Sequence, residues 1–443
     1  MVMAHMAHGA LLALLICPLA LLPAVVARVS QSAATPSAIT VTCDDRTAPA
    51  TTPPKPAILS ALARTQAAHI VAAANERVMG TGLEQDNVTI DGVSEQHIFV
   101  NGNLARGLLS CPATADQQRA ALAWCSHLVG EQAQTRTHNN ASDAGFWGVG
   151  YPVLGPKGDI YFGDTGTAVT VLAKCYRIVK ASDPETAATY LASLEMYARY
   201  VRDGCQDSPP GGQGAASPGW ILDNGAIGCG YYLGHLSLPP YIIATGTTGA
   251  AFFAELAAIT ASPRDQRDYA IIAANALAWI GTTVRSDGVL PYIIDNETAT
   301  YTQWPLDTIS YVTEGIVAVD VISRRLADSA SGIGWRDASC HLRAASAAAI
   351  DAFEPTVEWL LRTQQSDGSW GKPHASDTLR SPRVVSLLQW YYLSSPANAT
   401  MDQAIRDASA RFVNYLASND TWATQDAFLY PGFVAISLAD LLE

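Results

Sequence analysis

The sequence has little charge. Asp, Glu, Lys and Arg make up 15% of its 443 residues while 49% are hydrophobic, so a large core can form. The charge it carries nets −13 and is spread without a run of one sign, which argues against nucleic acid or an anionic membrane surface as partner. It has no C-x-x-C pair or His-rich spacing for zinc, no G-x-S-x-G elbow and no Gly-rich phosphate loop. Neither a metal nor a cofactor is therefore expected. Nothing alternates at period 2 for long, which argues against a sheet core.

The first 27 residues contain no Asp, Glu, Lys or Arg, and Ala10–Ala27 is a continuous apolar run. This reads as a secretory signal over residues 1–27, with Val25 and Ala27 small enough for the positions before the cut. The run is also long enough for a signal anchor, although Pro18 and Pro23 favour cleavage. No later segment is apolar enough to span a bilayer, so no membrane association is expected once the signal is removed. Residues 28–56 are rich in Ser, Ala, Thr and Pro and read as a linker. The globular domain is expected over 57–443. Sequons at Asn87, Asn140, Asn296, Asn398 and Asn419 fall between expected helices, as glycoprotein acceptors should. These features point to a secreted or lumenal protein. Past the signal there are seven cysteines, an odd number. Cys205–Cys229 and Cys111–Cys125 are candidate disulfides.

The globular part alternates between two kinds of helix. Amphipathic helices are expected near 57–77, 114–133, 184–203, 264–285, 345–365 and 401–418. Each is followed by a helix that is apolar nearly all round: 97–111, 160–179, 240–259, 304–322, 378–393 and 427–442. An all-apolar helix is buried on every side and a striped one lies at the surface. Several of the connecting loops share a turn: Ser286-Asp-Gly, Ser366-Asp-Gly-Ser-Trp, Asn419-Asp-Thr-Trp and Asp143-Ala-Gly-Phe-Trp. Asp-Gly suits a tight turn, and the aromatic after it is placed to plug the end of the barrel. Six outer and six inner helices close most economically into an all-α (α/α)6 toroid.

This alternation resembles the six-hairpin glycosidases and the toroidal polysaccharide lyases. The stretch Trp359–Gly371 also resembles the QW motif of terpene cyclases, with Gln364, Gly368 and Trp370 in place. The first resemblance implies a carbohydrate-active enzyme whose site lies where the N-terminal turns of the inner helices gather.

Residues expected at that end include Asp164 and Asp307, on the second and fourth inner helices. Two carboxylates across a pocket are what glycoside hydrolysis needs, one as acid and one as base or nucleophile. Each also stands where an N-cap belongs. Glu314, two turns into an inner helix, is costly unless it faces the lumen or is paired. Arg380 and Arg383, one turn apart, suit a uronate or sulfate group, or a pairing with carboxylates of the protein. Asn101, Trp147, Tyr161, Trp304, Tyr311 and Tyr430 are the other candidate contacts for a poly- or oligosaccharide, the aromatics by stacking on sugar rings or by packing. A uronate lyase and a non-catalytic carbohydrate- or protein-binding toroid remain as alternatives to a glycoside hydrolase.

Overall fold

The computed structural model describes residues 55–81, 83, 87–90, 93–96, 98–110, 113–132, 147, 160–204, 219–232, 235–292, 305–328, 333–371, 382–418 and 430–442. Residues 1–54, with the expected signal and most of the expected linker, lie outside them. Among the described residues twelve helices follow one another in outer–inner order. The outer ones are α1 (Ala61–Thr81), α3 (Ala115–Gly130), α5 (Pro184–Asp203), α7 (Pro263–Thr283), α9 (Ile333–Thr363) and α11 (Ala399–Ser418). The inner ones are α2 (Ile98–Leu108), α4 (Phe162–Val179), α6, α8 (Pro305–Asp328), α10 (Arg383–Ser394) and α12 (Tyr430–Leu442). Helix α6 begins at Ile242–Ala244, passes through π-helical turns over Thr245–Phe252 and ends at Phe253–Ala257.

The strands among the described residues are short. β1 (Asn87–Ile90) pairs with β2 (Val93–Gln96), and β3 (Ile160–Tyr161), β4 (Gly228–Tyr232) and β5 (His235–Pro240) form a small antiparallel sheet. No described helix is long and apolar enough to cross a membrane.

Burial follows the expected division. Every residue of α6 is buried, as is nearly every residue of α2, α4 and α10, while α5, α7 and α11 bury one stripe. Each inner helix packs on the next: α2 on α4, α4 on α6, α6 on α8, α8 on α10, α10 on α12 and α12 on α2. The contacts are close because small residues meet. A Cβ on Gly166 of α4 would fall 2.5 Å from the backbone nitrogen of Thr248, and one on Gly315 of α8 would fall 2.6 Å from the carbonyl of Gly246. Side chains then tie the layers together. The Tyr197 hydroxyl of α5 lies 2.7 Å from that of Thr165 and 2.9 Å from that of Thr248, linking one outer helix to two inner ones.

The shared turn is a real repeat, and it has one more member than the Asp-Gly pairs reveal. In Leu222–Ala226, Arg285–Val289 and Gln365–Ser369 the first carbonyl accepts from the fourth N–H at 2.8, 2.9 and 3.0 Å. The first N–H donates to the fifth carbonyl in each. The side chain of Asn224, Asp287 or Asp367 accepts from the fifth N–H at 3.0, 3.1 and 2.9 Å. The glycine at position four has φ of 89°, 88° and 94°. The aromatic after the turn closes the helix before it: Trp370 Nε1 donates to the Leu360 carbonyl at 2.8 Å, and Trp147 Nε1 to that of Leu128 at 2.7 Å.

Four expectations are corrected. Helix α9 starts at Ile333, twelve residues before the expected 345, because Ala338, Leu342, Ala345 and Ala349 already form its buried stripe. Asp164 is not an N-cap: the cap position is Tyr161, and Asp164 lies inside the first turn. Cys125 pairs with Cys175, not with Cys111, tying outer α3 to inner α4 with a Cα–Cα distance of 6.7 Å. Cys340 is also disulfide-bonded. The other expected pair, Cys205–Cys229, is not formed either: Cys229 is buried and takes part in no disulfide.

Candidate functional site

The N-terminal ends of α4 and α6 lie side by side. The chain enters α4 through β3, so Tyr161 and Asp164 stand on either side of the first helical residues, both partly exposed. A Cβ on Gly163 would fall 2.9 Å from Ile243 and 3.2 Å from the Tyr241 ring, so the slim first turn lets α6 come close. Tyr241, the cap position of α6, is buried and its hydroxyl donates to that of Tyr292 at 2.9 Å, with the rings edge-on at 5.4 Å. Tyr292 follows the turn at Gly288. Burial pushes the Tyr241 phenol well above its usual range, and the phenol of Tyr292, Cys229 and the Asp164 carboxylate push it the same way. A carboxylate beside a phenol held neutral is an arrangement in which one group can accept a proton and the other only donate a hydrogen bond. Helix N-terminal turns add partial positive charge there.

The other sequence candidates are divided. Asp307 lies in the first turn of α8, and its side chain is outside the described set, as is that of Tyr430 at the start of α12. Trp304 and Arg380 are outside it altogether. Trp147 is buried at 1% exposure by its bond to Leu128 and packs 5.7 Å from the Tyr197 ring, so it caps a helix and offers no face to a ligand. Tyr311 is buried against Phe433, rings edge-on. Asn101 is fully buried, and neither its Oδ1 nor its Nδ2 has a hydrogen-bond partner among the described residues.

Arg383 is not at the mouth. It is fully buried in a charged cluster built by five inner helices. Its Nη1 lies 3.4 Å from Asp440 Oδ2 of α12, which also accepts from Ser386 at 2.6 Å. Beside it Arg106 of α2 lies 2.8 Å from Glu314 of α8, and Thr167 of α4 donates to Glu314 at 3.3 Å. Lys174 of α4 completes the group. Burial lowers its amine to about 7, helped by Arg106 and Arg177 and opposed by Asp440 and Glu314. Burial, then Arg106, likewise lowers Arg383 to about 10. The sequence reading reaches Glu314 and Arg383 but misses Arg106 and Lys174. Arg106 is the lone charge on an otherwise apolar helix and Lys174 stands on a mostly apolar one, and a cation in such a helix is the signal that could have found them.

No protein-family model and no curated protein matches this sequence. Solved structures do. A glycosyl hydrolase family 88 protein from Bacteroides vulgatus superposes with a TM-score of 0.50 at 13% identity, covering 86% of this chain and 98% of the other. A polysaccharide lyase gives a TM-score of 0.46 at 13% identity over 85% and 96% of the two chains. A possible member of the GH105 family from Salmonella enterica gives 0.36 at 10% identity over 80% and 83%. At 13% identity the likeness to the glycosyl hydrolase family 88 structure is one of fold alone.

Proposed function

We propose that this chain is a carbohydrate-active enzyme on an (α/α)6 toroid, hydrolysing a glycosidic bond in a poly- or oligosaccharide. The cyclic order of inner-helix contacts supports the toroid. The observation that carries the function is Asp164, partly exposed in the first turn of α4 beside the Tyr241–Tyr292 pair. Asp307 occupies the corresponding first turn of α8 and supplies the second carboxylate. Tyr161, Trp304 and Tyr430 are the aromatic candidates for the walls, with Arg380 for an acidic sugar.

The test is a glycan panel followed both for reducing ends and for ultraviolet absorbance. Reducing ends alone are expected; added absorbance from an unsaturated uronate would replace hydrolysis by elimination. Asp164→Asn is expected to lower kcat at least about a hundredfold. No turnover on any glycan, with saccharide binding intact in Asp164→Asn and Asp307→Asn, would instead describe a binding toroid.

The same reading places the protein in an oxidising compartment, supported by the Cys125–Cys175 bridge. Asn398 is exposed just before α11, where its Oδ1 accepts from the Met401 N–H at 3.2 Å. Expression in a eukaryotic secretory host followed by N-glycosidase digestion should shift the gel mobility, and Asn398→Gln should remove part of the shift. An unshifted band from a cytosolic pool would reject this assignment.

A further inference from the structure

The charged cluster of the inner helices does not balance. Arg106, Lys174 and Arg383 face Glu314 and Asp440, while nearby Arg177 is matched by its ion pair with Glu255. With Lys174 protonated, three cations meet two carboxylates. The guanidinium groups are also short of acceptors. Arg383 Nε and Nη2 and Arg106 Nε have no hydrogen-bond partner among the described residues, although the two side chains are only 0% and 6% exposed. Buried donors of this kind are rarely left unmet. Lys174 makes no hydrogen bond or ion pair with the described residues, and its amine is desolvated by burial. Asp440, whose side chain is 28% exposed, marks the way in.

We propose that Arg106, Lys174 and Arg383 form a binding site for one small monovalent oxyanion of carboxylate type. One negative charge completes the balance, and a carboxylate offers the two acceptor oxygens that a guanidinium fork matches. The site lies among side chains of α2, α4, α8, α10 and α12, uses neither Asp164 nor Asp307, and does not depend on the hydrolase reading. The anion comes either from solution or as the carboxylate of an acidic sugar. Occupancy is linked to a proton. Lys174 loses its charge near neutrality when the site is empty, through burial, Arg106 and Arg177 acting against Asp440 and Glu314. A bound anion opposes that loss, so binding above neutrality takes up a proton.

The experiment uses the full chain, with acetate, glucuronate and glucose as probes, each exchanged against a bulky sulfonate at constant ionic strength. Acetate at pH 6 is expected to raise the melting temperature along a saturating curve, with about tenfold weaker apparent affinity at pH 8.5. Glucuronate binding without acetate binding supports the same site with a sugar as the source, provided glucose is inert. Calorimetry at pH 8 in buffers of different ionisation enthalpy should read fractional proton uptake in the wild type. Lys174→Met, checked for helix content, should abolish that uptake and the pH dependence. Saturation by neither acetate nor glucuronate, or binding without proton uptake in the wild type, overturns the proposal. So does unchanged pH-dependent binding in folded Lys174→Met.

Discussion

Glu314→Ala is expected to destabilise the protein by about 3–5 kcal/mol, the largest loss expected of any single substitution in the inner ring. Glu314 is 1% exposed and its partner Arg106 is 5% exposed. Removing the carboxylate strands a guanidinium among apolar helices, and an uncompensated buried charge costs far more than the lost attraction suggests. The loss is worse in this cluster than for an isolated pair, because Asp440 alone would then face Arg106, Lys174 and Arg383. Replacing both partners tells a different story. Arg106→Met with Glu314→Leu removes both charges at once and should cost much less than Glu314→Ala, leaving Lys174 and Arg383 against Asp440. The interaction energy from Arg106→Met alone, Glu314→Leu alone and the double change isolates the pairing. Denaturant midpoints measured across the cycle decide it, and a Glu314→Ala loss below about 1 kcal/mol would mean that water reaches Arg106.

How much of the molecule is legible in its sequence follows from where the information sits. The outer–inner alternation is readable because burial on nearly all sides imposes apolar or small residues at most positions of α4 and α6, a one-dimensional signal. The boundaries of α5 match at both ends because Asp183 and Pro184 mark its start and Gly204 its end. Asp164 reads as a cap yet stands inside the first turn, because the aromatic Tyr161 holds the cap position and no side chain caps it. Partnerships are the hidden part. Arg106 with Glu314, and Cys125 with Cys175, join residues whose proximity depends on how complete helices stack, which no local pattern records. Tyr241 cannot be told from a packing aromatic until Tyr292 is seen within 2.9 Å. The charge of the whole chain also misleads about its interior, since a net −13 conceals a cluster with an excess of cations.

Gly288→Ala and Gly368→Ala are expected to cost about 2–5 kcal/mol each, the second largest loss. Both glycines hold position four of the repeated turn with φ of 88° and 94°, where an L side chain is strained by about 1–2 kcal/mol. The strain is the smaller part. A Cβ on Gly288 would lie 2.1 Å from the Pro355 carbonyl oxygen of α9, and one on Gly368 would lie 2.4 Å from that of Arg411 in α11. The obstructing atoms are backbone, so neither can swing aside, and the whole next outer helix must move. That is why the turn recurs: it lays each hairpin against the following one with no side chain between. Asparagine separates the two causes. It accepts positive φ more readily than alanine but carries the same Cβ, so Gly288→Asn should be nearly as damaging as Gly288→Ala if contact dominates. Gly80→Ala, where a Cβ meets nothing within 4 Å, is the control and should be neutral or slightly stabilising. Chemical denaturation of the four variants settles the matter; near-normal stability of Gly288→Asn beside a damaged Gly288→Ala would assign the cost to backbone strain.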